Sequence, residues 1–412
     1  MQVQLNDNFK KENRILSLPN GFSFRTWSFQ PIHKFLIMTV APKQRFLALD
    51  VFRGLTICFM IIVNTSGSKF TYSPLEHAHW HGFTPTDLVF PSFLFAVGNA
   101  MSFVMNRWNT MRQAEVLGKI FKRTFIIFMC GFLLYWFPFF YMDKAHDVLF
   151  SPLSHTRILG VLQRIALAYC IASLLIYYFK TGTVISISIS ILLFYWAFML
   201  MGGDAPDPLS MTGNLGYKID MLIMGPHHMY HGEGVAFDPE GILSTLPSVV
   251  NVTFGYMVGK FIQEKGKTFE GLAKLLLIGV SLVVIGYFWD LSFPINKKLW
   301  TSSFVVYTVG IDCIILSAII YLVDFLGRTN WTKFFTVFGK NPLFIYLVSE
   351  VGVTILYMIQ VQPRVSLYSW IYEHIYRHAG LYLGSLLFAI SWMLFCWLVG
   401  FYLDKKKIYV RV

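Results

Sequence analysis

Residues 183–202 read TVISISISILLFYWAFMLMG, twenty residues in a row without a charge. That is the length an α-helix needs to cross a hydrocarbon core of about 30 Å. Runs of this kind recur along the 412-residue chain, in which 55% of residues are apolar, 17% aromatic and only 14% charged. Ordinary globular chains carry roughly 25% charge, and the mean hydropathy here is +0.55. A soluble enzyme is excluded, and the composition predicts an all-α, polytopic transmembrane helix bundle. Hydropathy places about ten spans, at 46–66, 86–104, 121–142, 158–179, 183–202, 246–263, 271–290, 303–325, 340–360 and 381–403. An even number of spans puts both termini on one side.

Flanking these spans, residues 1–45 form a polar, irregular extension without the charged stretch, apolar run and small-residue site of a cleaved signal peptide. They are expected to be cytoplasmic and disordered, and Met38 is an alternative start that would leave much of this tail without function. Residues 46–404 form the membrane domain, with an extra-cytoplasmic loop at 203–245, and 405–412 form a basic cytoplasmic tail. A net charge of +12 would suggest nucleic acid in a soluble protein. Sorted by the ten-span topology, however, 23 Lys and Arg fall on the side of the termini and nine on the other. That bias puts both termini in the cytoplasm and accounts for the charge without a nucleic-acid partner.

The same topology sorts the histidines. Of eleven, all but His33 fall on or near the outer face: His77, His79, His81, His146, His155, His227, His228, His231, His374 and His378. Chemistry is therefore expected outside. The long Gly-, Pro- and His-rich segment around 203–245 lies on the same face, and long loops of that kind are usually functional or disordered. Cys58, Cys130, Cys170, Cys313 and Cys396 all sit in apolar runs without CxxC spacing, as expected of packing residues and not of disulfides or metal ligands.

Two segments carry candidate chemistry. The first, RFLALDVFRG (45–54), sets Asp50 and Arg53 three residues apart at the cytoplasmic end of span one, which finishes near Asn64. It reads either as a capping ion pair with a snorkelling arginine or as part of a cationic entrance, with Arg45 and Arg53, for an anionic cofactor. Arg107, Arg112, Lys119, Lys122 and Arg123 would be close to that entrance if spans one to three are neighbours. The second, HAHWHG (77–82), is followed by DLVFP (87–91). Three alternating histidines could chelate a metal such as zinc, could belong to a solvated loop, or could include one acid/base or acyl-accepting imidazole whose tautomer a carboxylate fixes, Asp87 being the candidate for His77.

These segments, with RILGVLQR (157–164), FDPEG (237–241), PINKKLW (294–300) and GKN (339–341), resemble the heparan-α-glucosaminide N-acetyltransferase family from about residue 45 to the C-terminus. The resemblance implies a transmembrane enzyme that carries an acetyl group from cytosolic acetyl-CoA to a glucosamine amine across the membrane, and it matches the family's active-site histidine and asparagine to His77 and Asn64. Asp87 is the expected orienting carboxylate. Arg45, Asp50, Arg53, Arg157, Gln163 and Arg164 are the candidate contacts to acetyl-CoA, the acyl-donor substrate; no metal is expected. Asp238, Glu240, Asn296, Lys297 and Trp300 are the candidate contacts to the sugar. Each also has a plainer role: Arg164 neutralising an acid, Asp238-Pro239 making a turn, Trp300 lying in an interfacial belt. Asp312 and Glu350, costly in lipid, are expected to face the bundle interior.

The sequence departs from the family in two ways. The Asn64-to-His77 spacing is two residues longer than in the lysosomal enzyme, with His79 and His81 in place of Ser and Asn, and the large luminal domain preceding the lysosomal enzyme's first matching span is expected to be absent. The reaction type follows from the resemblance, whereas the acceptor stays open. Amino-sugar transport and O-acetylation of an envelope polysaccharide are the alternatives, although no internal repeat of the kind common in secondary transporters is visible. The expected partners are the lipid bilayer, acetyl-CoA, an amino-sugar substrate and, at most, a second copy in a homodimer. The expected location is a bacterial inner membrane with the site facing the periplasm.

Overall fold

A computed structural model describes residues 46–108, 110–142 and 148–410. The expected N-terminal extension, including Arg45 and His33, lies outside the described residues, as do Lys144 and His146. A segment in hydrocarbon must satisfy its own backbone hydrogen bonds, and the apolar runs accordingly fold as long helices. In chain order these are α1 (Leu47–Asn64), α2 (Val89–Trp108), α3 (Gln113–Trp136), α4 (Val161–Tyr178) and α5 (Thr181–Gly202). A short α6 (Leu215–Ile223) in the outer loop precedes α7 (Thr245–Lys265), α8 (Phe269–Asp290) and α9 (Ser302–Ile320). The chain closes with α10 (Thr332–Lys340), α11 (Pro342–Met358), the one-turn α12 (Leu367–Ile371) and α13 (Leu381–Lys405). Two small antiparallel hairpins, β1 (Phe140–Met142) with β2 (Val148–Phe150) and β3 (Gln360–Gln362) with β4 (Val365–Ser366), lie between α3 and α4 and between α11 and α12.

Among the described residues, seven of these helices are long and apolar enough to cross a membrane, and α10 with α11 makes an eighth as a pair bent by 84°. The bend falls at Asn341, where Pro342 denies the preceding residue the helical conformation. The expected spans at 121–142 and 246–263 correspond to α3 and α7, which have spanning length at 24 and 21 residues but are more polar than those seven. The reason differs between them. α3 carries Lys119, Lys122 and Arg123 in its first half, whereas α7 is packed among α2, α4, α5 and α9, so Ser248, Asn251 and Thr253 are buried in protein.

Burial separates an inner group from a rim. Between 56% and 67% of the spanning windows of α1, α2, α4 and α9 is buried, against 22% to 28% for α5, α8 and α13, whose exposed faces are apolar as lipid requires. Small residues let the inner helices approach closely. A methyl group at Gly54 would lie 1.8 Å from the Phe335 carbonyl oxygen of α10, and one at Gly98 of α2 would lie 2.0 Å from that of Val252 in α7. Polar side chains then tie helix to helix: Trp300 Nε1 donates to Asn251 Oδ1 at 3.0 Å, and the Ser92 hydroxyl donates to Asp312 at 2.5 Å. Asp312 does face the bundle interior, as its cost in lipid requires.

Candidate active site

The loop between α1 and α2 builds the site. Thr84 and Asp87 cap a 3-10 turn at Pro85–Leu88, with Asp87 Oδ2 accepting from the Thr84 amide and hydroxyl, both at 3.0 Å, and from the Ala78 amide at 3.1 Å. Asp87 is thereby fixed, fully buried, with its second oxygen 2.7 Å from His77 Nδ1. An ionised carboxylate accepts only, so Nδ1 carries the proton and Nε2 keeps its lone pair. The imidazole itself is 45% exposed.

The segment after α8 delivers Lys297 to the same ring, its Nζ 3.0 Å from Nδ1, 3.1 Å from Nε2 and 3.9 Å from Asp87 Oδ1. Burial holds the Lys297 ammonium below the ordinary lysine value, with Asp87 and Glu240 opposing that shift. Its neighbour Lys298 donates to the His79 carbonyl at 2.9 Å and pairs with Glu233 at 2.6 Å. The other two histidines do not converge with His77. His81 Nδ1 accepts from Asn296 at 3.4 Å, and burial keeps its imidazole below the ordinary value, with Asp207 and Asp290 opposing. Among the described residues no three His, Cys, Asp or Glu are placed to hold a metal ion.

His77, Asp87, Lys297, Asn64 and Glu350 all line an outer cavity of about 340 Å³. Asn64, the last residue of α1, donates from Nδ2 to Glu350 Oε1 at 3.2 Å. A second, largely apolar cavity of about 330 Å³ lies toward the basic face, with Arg53, Arg123 and Lys340 in its wall. Met60, Val161 and Tyr346 belong to both walls, so the two chambers adjoin at these side chains.

The residues expected to contact acetyl-CoA are distributed over different places. Arg157 lines the outer chamber, not the inner one, and its guanidinium is taken up by Asp238, at 2.6 and 3.0 Å, and Glu240, at 2.5 Å. The rings of Tyr135 and Tyr230 flank it at 4.9 and 4.8 Å. Burial would raise the Glu240 carboxyl, but Arg157, Arg164 and Lys297 outweigh that and hold it below its ordinary value. Gln163 and Arg164 line neither chamber: both are fully buried, with Arg164 donating to Ser244 and stacking 4.7 Å from the Trp300 ring. Arg53 does face the inner chamber, tied to the Gly339 carbonyl and Asp50, each at 2.9 Å.

The expected sugar contacts divide in the same way. Glu240 and Lys297 face the outer chamber, while Asp238 is buried behind Arg157 and its carbonyl closes a turn to the Gly241 amide. Asn296 is fully buried and caps its own loop by accepting from the Leu299 amide at 2.9 Å. Trp300 is 1% exposed, so it is a core residue and not an interfacial one. Tyr135, Tyr230 and Tyr346 were invisible as wall residues because nothing in their local sequence separates them from other aromatic positions. Arg123, expected near the cationic entrance, and Lys340, a basic-face charge within the GKN motif, both line the inner chamber.

Residues 45–287 match the family model described as heparan-alpha-glucosaminide N-acetyltransferase, catalytic. Curated relatives named heparan-alpha-glucosaminide N-acetyltransferase, from Mus musculus and Homo sapiens, are each 29% identical to this chain, covering 76% of it. The matches cover 54% and 53% of those proteins, so the chain spans about half the length of the curated relatives it matches.

Proposed function

The chain belongs to the heparan-alpha-glucosaminide N-acetyltransferase catalytic family, and on that premise we propose that it is a membrane-embedded acetyltransferase moving an acetyl group from acetyl-CoA at the basic face to the amine of a glucosamine-type sugar at the outer face. One observation carries this reading. Two chambers meet at Met60, Val161 and Tyr346, the inner one bordered by Arg53, Arg123 and Lys340 and the outer one by the Asp87–His77 pair and Asn64. An anionic acyl donor with a long, thin arm suits the inner chamber, whose cations can meet phosphates and whose apolar wall can enclose the arm. Arg123 has a buried Nε without a protein partner, as a group awaiting an anion would.

The thioester supplies the activation, leaving the protein to position, deprotonate and stabilise charge. Asp87 holds the Nδ1–H of His77, so Nε2 is the base that takes a proton from the amine. Asn64 offers an amide N–H to the oxygen that becomes negative at the reacting carbonyl, and Lys297 adds positive charge beside the imidazole. Arg157 and its two acids are read as a scaffold that fixes the outer wall, leaving Glu240 to contact sugar hydroxyls only at its exposed edge. His77 could act as the base for direct attack or as a transient acyl acceptor.

The test is acetyl-CoA consumption by the purified chain against a panel of amino sugars. Turnover that needs an amine and disappears in His77→Ala supports the reading. Sugar uptake into liposomes without acetyl-CoA would replace it with transport, and a product cleaved by mild alkali would indicate O-acetylation. Mass spectrometry after rapid quench with acetyl-CoA alone separates the two chemical routes, since only the covalent one leaves an acetylated His77 peptide.

A further inference from the structure

Four carboxylates line the outer chamber, and three of them have a cation of this chain within 4 Å: Asp87 has Lys297 at 3.9 Å, Glu233 has Lys298 at 2.6 Å and Glu240 has Arg157 at 2.5 Å. Glu350 differs. Among the described residues its carboxylate pairs with no cation and accepts only the Asn64 amide at 3.2 Å. It projects from α11 one helical turn beyond Tyr346, on the same face. Tyr346 belongs to the walls of both chambers, so Glu350 stands just outside their junction, beside Asn64. A carboxylate inside a membrane bundle is costly without a countercharge, and here the wall leaves room for one to arrive from the cavity.

We propose that Glu350 is the seat of the acceptor's ammonium group and its first proton acceptor, an inference that rests on the acetyltransferase reading above. The acceptor arrives as R–NH3+ and pairs with the carboxylate. One proton moves to Glu350, converting the ammonium to R–NH2 and the carboxylate to a carboxylic acid. The nitrogen lone pair then forms the C–N bond while the C–S bond breaks. The second nitrogen proton passes to His77 Nε2 and from there to the leaving thiolate, and Glu350 releases its proton to the outer water. The sum is an amide, a free thiol and one proton. This arrangement selects amines over alcohols by charge, because a neutral sugar hydroxyl offers Glu350 no countercharge.

Donor-free binding of glucosamine and glucose, sugars that differ at C2 by an ammonium against a hydroxyl, tests this on the full-length chain in lipid nanodiscs. The wild type is expected to bind glucosamine about 10- to 100-fold more tightly, the range of a charge-assisted hydrogen bond. Glu350→Gln should abolish that preference and raise the KM for the amine by a similar factor, leaving the KM for acetyl-CoA unchanged. Equal affinity of the wild type for the two sugars overturns the proposal whether or not the variant folds, as does a Glu350→Gln protein that keeps the preference. If Glu350→Gln does not fold, Glu350→Asp, which keeps the charge on a shorter arm, is expected to retain the preference for the amine while lowering kcat. A wild type that selects glucosamine but consumes no acetyl-CoA would leave the ammonium seat standing and defeat the acetyltransferase reading instead.

Discussion

In the proposed mechanism His77 works only if one of its nitrogens is left free, and the Asp87 contact decides which. In Asp87→Asn, the side-chain amide can present its N–H to Nδ1 and reverse the tautomer, leaving Nε2 protonated. A loss of kcat on the order of 100-fold or more is expected, with the KM for acetyl-CoA nearly unchanged; a variant with wild-type kcat would remove Asp87 from the mechanism. Asp220 gives a second test at this scale. Burial raises its carboxyl to about 7 while it accepts from the Ile242 amide at 2.8 Å, beside the Asp238–Glu240 turn. The folded value lies above that of an exposed aspartate, about 3.9, so the folded state holds this proton more tightly. The stabilisation is complete below about pH 4 and is lost as pH rises through 7. Melting curves should therefore show wild type losing Tm relative to Asp220→Asn between about pH 4 and 7, and parallel curves would contradict the assignment. The Asp87–His77 relation was legible in the sequence because the two lie ten residues apart in one loop. The role of Arg157 was not, because its acids stand 81 and 83 residues away and only the packing of α4 against the 225–244 segment brings them together.

At the level of elements, α5 shows where composition overrides local preference. Its ISISIS run alternates with the period of a strand, yet it is helical throughout, because a lone strand in hydrocarbon would leave its backbone groups unpaired. Length without charge was therefore the decisive signal, and it located most of the spans. The bend between α10 and α11 was less legible. The expected span at 340–360 included Pro342, but the preceding short helix is too polar to register by hydropathy and is held by its packing on α1. That contact depends on Gly54 lying against the Phe335 carbonyl. Gly54→Ala should destabilise the protein by about 3 kcal/mol or more and widen the inner chamber, read as a lower Tm and a higher KM for acetyl-CoA; an unchanged Tm would mean that α10 can shift freely. The same bend places Asn341 where it binds the C-terminal segment twice, donating to the Ile408 carbonyl at 3.0 Å and accepting from the Val410 amide at 2.8 Å. Val410 lines the inner chamber, so Asn341→Ala is expected to raise the KM for acetyl-CoA several-fold with little change in that for the amine.

Across the whole molecule, the charge bias and the two chambers agree on a direction. The inner chamber opens where the basic residues gather, and the outer one holds the imidazole, its carboxylate and Glu350, which pairs with no cation among the described residues. The chambers were not legible in the sequence, since a cavity is set by what long-range packing leaves unfilled. Acetyl transfer across the bilayer is the central claim, and proteoliposomes with one orientation test it most directly. Acetyl-CoA is supplied only at the basic face and glucosamine only at the outer face, and the compartment holding the acetylated sugar is measured. Acetylated sugar on the outer side with free CoA on the basic side, both absent in His77→Ala, is the predicted result. Product formed only when both substrates share one compartment, or sugar carried across unmodified, would contradict it.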